Sequence, residues 1–130
     1  MRWIKKLVEE IEENKHISLF LGSIVLCIII YCSSISGNSI SFNSIWPSII
    51  YHFSVFAGLG FVLSMLVSQK EKGIKEVLIV IGISLIIAIL DEAHQMFTPL
   101  RTPDIKDILT DMGGVIFSII LHSGIKRIKV

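Results

Sequence analysis

Four apolar blocks dominate this 130-residue chain: residues 17–35, 45–67, 74–90 and 102–125. Each is about 20 residues long, the length a helix needs to cross a hydrocarbon core about 30 Å thick. The chain is 52% hydrophobic and 18% charged, where a soluble domain averages about 45–50% and about 25%. A small domain cannot bury that much apolar surface in one core. These observations exclude a disordered chain, a soluble enzyme domain and a basic-patch nucleic-acid binder. The net charge of +1 leaves no global field to steer an acidic partner. The expected fold is an all-α membrane protein with four transmembrane helices, preceded by an amphipathic interfacial helix.

That first helix is read in residues 1–16. Trp3, Ile4, Leu7, Val8 and Ile11 recur at three- and four-residue steps and make one apolar face. Lysines and glutamates fill the remainder, with Glu9, Glu10, Glu12 and Glu13 as its solvated side, so the helix is expected to lie on the cytoplasmic leaflet. Residues 17–125 form the four-span domain, and 126–130 a basic cytoplasmic tail. The first block starts late, follows glutamates and lacks a small-residue cleavage site, so it reads as a retained helix rather than a signal peptide. Cys27 and Cys32 lack metal-ligand spacing and read as packed or lipid-facing thiols.

The basic residues give an orientation. Arg2, Lys5, Lys6 and Lys15 precede the first span, Lys70, Lys72 and Lys75 separate the second and third, and Lys126, Arg127 and Lys129 follow the fourth. Of twelve Lys and Arg, that leaves only Arg101 and Lys106 for the opposite side. Both termini are therefore expected in the cytoplasm, with the 97–104 turn outside. Thr102, Pro103 and Asp104 read as the N-cap and first turn of the fourth helix.

The informative polar residues gather near that outer turn. Helical rise puts Glu92 roughly 26 Å from Lys75, Asp111 roughly 22 Å from Lys126 and His52 roughly 27 Å from Lys70. Three helices thus carry a histidine and carboxylates to the same outer third. Ser84, Ala88, Asp91 and Gln95 share one face of the third span, with Glu92 beside them. Asp107, Asp111, Gly114 and Ser118 do the same on the fourth, and the two small-and-polar stripes are expected to face each other. Ser54 and Gly58 offer a small pair on the second span.

A carboxylate within the apolar zone costs about 2.5–3.5 kcal/mol at the bilayer centre. Asp111 must therefore pair with a donor such as Arg101 or line a wet cavity, whereas Asp91 is as readily hydrated at the interface. Glu92, Asp111 and His52 are the candidate catalytic residues, able to do acid–base work. Arg101, Glu92, Gln95, Asp107, Asp111 and His52 form the candidate ligand-binding set, with Arg101 suited to a bidentate anion. A metal on His52, Glu92 and Asp111 is conceivable through N and O ligands. Without HExxH or Cys–His spacing, no metal and no cofactor is assigned. His94 reads as a solvated interfacial imidazole, and His16 and His122 fall near the cytoplasmic boundary and read as peripheral.

The run Asp91-Glu92-Ala93-His94-Gln95-Met96-Phe97-Thr98-Pro99-Leu100-Arg101, followed by Asp104, Asp107 and Asp111-Met112-Gly113-Gly114, resembles the VanZ-like family. Glu92, Gln95, Phe97, Arg101, Asp107 and Gly114 match its motif, and His52-Phe53 with Gly58-Leu59-Gly60 resemble its histidine-containing second span. The likeness covers roughly residues 45–121. Asp111 stands where the family usually has Asn, Ser118 where it has a second Gly, and Ser48 and Ile49 where it has a charged pair. The resemblance implies a small four-span envelope protein of bacterial, Gram-positive type. It also implies a link to teicoplanin-type glycopeptide resistance, with lipid-linked wall precursors or lipoglycopeptides as partners beside membrane lipids. Three readings follow: a binder of an anionic or amphiphilic envelope ligand, an intramembrane enzyme acting on a lipid-linked substrate, and a non-catalytic structural adaptor.

Overall fold

The computed structural model describes residues 2–36, 46–68 and 73–128. Five helices follow in order: α1 (Arg2–Glu13), α2 (Lys15–Ser33), α3 (Trp46–Val67), α4 (Ile74–Gln95) and α5 (Ile105–Lys126), and no strand occurs among the described residues. Lys70, Lys72 and Lys129, used above for orientation, lie outside them.

Three helices, α2, α3 and α5, are long and apolar enough to cross a membrane. Only 17%, 39% and 33% of their most apolar windows is buried inside the protein, so most of that surface faces outward, as lipid-exposed helices require. α4 is not among the three. Lys75 and Glu76 at one end and Asp91 and Glu92 at the other cut its uncharged stretch to residues 77–90. A fourth span is thus not carried by length and composition alone.

α3 and α5 make the most extensive contact in the bundle. Gly114 of α5 lies against the backbone of Phe53 and Ala57, and Gly60 of α3 lies against Val115 and Ser118. The absent side chains let the two backbones approach directly. The small stripe of α5 therefore meets α3 as its principal partner, rather than α4 as its spacing suggested. Ser54 is exposed and Gly58 approaches Val25, so the close face of α3 is built from Phe53, Ala57 and Gly60 instead. Ile29, Phe56, Leu59, Val80, Ala88 and Val115 fill the core between the helices.

α1 docks on the bundle. Val8 packs with Val62 and Met65, flanked by Ile4, Ile11, Leu21, Phe61 and Ile125, while Trp3 and Leu7 stay exposed. Asn14 leaves the helical region at φ −101°, ψ 84°, and turns the chain from α1 into α2. The glutamate run of α1 is not wholly solvated. Glu12 accepts hydrogen bonds from Lys126 Nζ at 2.5 Å and pairs with His122 Nε2 at 2.5 Å. His122 is fully buried, contrary to its expected peripheral place.

α5 begins later than Thr102 and Pro103 suggested. Its N-cap is Asp104, whose carboxylate accepts from the Lys106 N–H at 2.9 Å. The Asp104 N–H is held by Glu92 Oε2 at 2.8 Å, which keeps residue 104 extended and delays the helix. α4 runs past the apolar block to Gln95, and the chain then turns at Met96 and reaches Leu100 with φ 60°.

Candidate functional site

The site lies where the C-terminal end of α4 and the N-terminal ends of α3 and α5 converge. His52, one turn and a half into α3, is 1% exposed. Its Nδ1 lies 2.9 Å from Asp111 Oδ1, and Asp111 has no exposed surface. Its Nε2 points to the other side of the ring, 3.6 Å from Asp107 Oδ2. That separation is too long for a hydrogen bond. Among the described residues, Nε2 and the second Asp111 oxygen are buried without a hydrogen-bond partner. The Tyr51 ring meets the imidazole edge-on, with centroids 5.1 Å apart.

Asp107 and Asp111 are one helical turn apart, so α5 presents both carboxylates to His52. The approach at Gly114 brings them there. α4 supplies Glu92, buried at 4% exposure. One ligand atom each from His52, Glu92 and Asp107 falls within 4.8 Å of the other two. Gln95 Nε2 donates to Glu92 Oε1 at 3.3 Å and to Asp91 Oδ2 at 3.1 Å, so one amide bridges neighbouring carboxylates. Asp91 is itself buried and is not the hydrated interfacial residue that its position allowed.

Arg101 sits apart from these acids in its contacts. Its Nε donates to the Ile35 carbonyl at 3.3 Å and its Nη2 to the Cys32 carbonyl at 3.4 Å. The Cys32 carbonyl belongs to the last turn of α2, and the Ile35 carbonyl lies just past the cap at Ser34. The carboxylate clamp considered for Arg101 is therefore replaced by a clamp on backbone. Thr98 Oγ1 donates to the Ser33 carbonyl at 3.0 Å and Ser36 Oγ to the Pro99 carbonyl at 3.2 Å, extending the same seam. His94 is exposed and its Nε2 lies 3.0 Å from Ser34 Oγ.

Five of the six expected ligand-binding residues, His52, Glu92, Gln95, Asp107 and Asp111, are thus joined in one linked group around the imidazole. The sixth, Arg101, braces the turn above α2. The pair of buried His122 with part-exposed Glu12 at the opposite end was not read from the sequence. His122 continues the spacing Asp111, Gly114, Ser118 along α5, and that continuation was the available signal.

The VanZ/LLP1 family model matches residues 10–126. The chain belongs to the VanZ/LLP1 family. The match takes in α2 to α5 and every residue of the His52 cluster. With its three span-length apolar helices, this VanZ-family chain is a membrane protein. No curated protein and no solved structure matches it.

Proposed function

We propose that this VanZ-family protein acts at the outer leaflet of a Gram-positive cell membrane. There it lowers susceptibility to teicoplanin-type glycopeptides by binding or altering an amphiphilic, anionic envelope molecule, such as a lipid-linked wall precursor or a lipoglycopeptide. In this reading α4 is the fourth span, both termini are cytoplasmic and the 97–104 turn faces out. The supporting observation is the cluster itself: a buried imidazole held 2.9 Å from one carboxylate, with two more beside it, at the pole away from Lys126 and α1. Buried ionisable groups in a membrane protein cost insertion energy and are kept where they do work.

The 2.9 Å His52–Asp111 pair favours alteration over passive binding. A carboxylate on Nδ1 fixes the ring and its tautomer, the arrangement used in general acid–base catalysis. Glu92 would act as the base and His52, oriented by Asp111, as the acid, while Asp107 would shape the polar floor with Gln95. Arg101 would hold the turn that roofs the floor.

The test is Glu92→Gln, which keeps shape and removes basicity. In a susceptible Gram-positive host, the wild-type chain should raise the inhibitory concentration of teicoplanin, and the variant should lose that increase at equal protein level. Undiminished protection by Glu92→Gln would overturn the reading.

A further inference from the structure

We propose that His52, Glu92 and Asp107 bind a divalent transition-metal ion of the Zn2+ or Mn2+ class, with Asp111 as the carboxylate that orients the histidine. Metal binding requires no particular envelope substrate, so its test is separate from that of the resistance role; on Nε2 the ion takes the place of the proton.

Geometry comes first. One ligand atom each from the three residues lies within 4.8 Å of the others, and they come from three different helices. Bonds of about 2.1 Å in a tetrahedral shell put neighbouring ligand atoms roughly 3.4 Å apart. The His52 Nε2 to Asp107 Oδ2 distance, 3.6 Å, is already close to such an edge. It is too long for a hydrogen bond, and a protonated imidazole would meet that oxygen only as a looser ion pair.

The tautomer points the same way. With Nδ1–H donated to Asp111 Oδ1 at 2.9 Å, the lone pair of a neutral imidazole resides on Nε2. That atom is buried, faces Asp107, and has no hydrogen-bond partner among the described residues. A buried acceptor left without a donor costs free energy unless something fills the role. A carboxylate on the far nitrogen of a metal-bound histidine is the recurrent outer-shell arrangement around protein metals.

Glu92 is supported in the same manner. The Asp104 N–H on Oε2 at 2.8 Å and the Gln95 amide on Oε1 at 3.3 Å hold its carboxylate, and each oxygen keeps a second lone pair. Charge adds the need for a cation. Glu92, Asp107 and Asp111 lie around one imidazole and Asp91 is tied to Glu92 through Gln95, while the guanidinium of Arg101 is directed to the Cys32 and Ile35 carbonyls. One nitrogen and two carboxylate oxygens form an intermediate-to-hard donor set, which suits Zn2+ or Mn2+ and leaves room for a water or a substrate oxygen. Such an ion would give the otherwise acidic floor an attraction for an anionic headgroup.

The experiment uses the full chain, tag removed, purified in detergent and stripped with EDTA. It is then reloaded separately with Zn2+ and Mn2+, with stoichiometry read by elemental analysis and affinity by calorimetry. Wild type should take up about one ion per chain. Asp107→Asn is the first variant, because Asp107 is the most exposed ligand and the amide is isosteric; its affinity should fall at least tenfold. For the wild-type Zn2+ form, X-ray absorption should report one imidazole nitrogen among oxygen ligands, a readout independent of how any variant folds. Failure of wild type to retain either ion would overturn the proposal, as would a zinc shell without imidazole or unchanged affinity in a folded Asp107→Asn.

Discussion

At Gly114 a hydrogen atom stands where any other residue would place a carbon against the Phe53 carbonyl and, at 2.9 Å, the Ala57 nitrogen. Both obstacles are backbone, so no rotamer change relieves them. Gly114→Ala should destabilise the protein by ~2–3 kcal/mol through overpacking and should pull Asp111 away from His52. Gly113 is the internal control, since a Cβ there would meet only the Phe53 ring at 3.9 Å. Gly113→Ala should be neutral or stabilising by up to ~1 kcal/mol, the usual helical preference. Denaturation of the two variants in detergent, compared with wild type, checks the contrast.

Among the elements, α1 is secured by a small set of contacts. Beyond Val8 and its apolar neighbours, Glu12 bridges to His122 and Lys126 of α5. Glu12→Ala removes both bonds and should weaken docking by ~1–3 kcal/mol, the range for hydrogen bonds to charged groups. Hydrogen exchange should then quicken across Arg2–Glu13 while α3 and α5 keep their protection. The α1 pattern was legible from Trp3 to Ile11, but which apolar residues face protein was not: periodicity gives a face and cannot say whether lipid or helix covers it. The same holds for α5, whose small stripe was evident in the sequence while its partner, α3 rather than α4, depends on reciprocal glycines on two separate segments. The α5 start was misjudged because the Glu92 bond to the Asp104 N–H is long-range and overrides the local Thr-Pro signal.

The whole molecule is polarised. His52, Glu92, Gln95, Asp107 and Asp111 gather at one end, and Glu12, His122 and Lys126 at the other. Depth counted along the helices was enough to bring the first group together, since helical rise is fixed. Rotation about each axis is not fixed by rise. That is why the bond of Arg101 to α2 carbonyls, and not to an acid, could be seen only in three dimensions. If the membrane lies between the poles in the proposed sense, Thr102→Cys in a chain lacking Cys27 and Cys32 should react with an impermeant thiol reagent added to intact cells. Thr102 is exposed, whereas Thr98 is buried. Reaction only after permeabilisation would reverse the orientation.

Lys5 Nζ donates to the Ile128 carbonyl at 2.8 Å, so the first helix touches the end of the last. The chain therefore closes nearly on itself, like a clasped ring. The first turns of α1 and the residue just past α5 lie on one side of the molecule. Two halves of a divided reporter, one at each terminus, would meet within a single molecule. A chain with its ends joined by a linker and reopened between α3 and α4 should keep the melting behaviour of the parent in detergent.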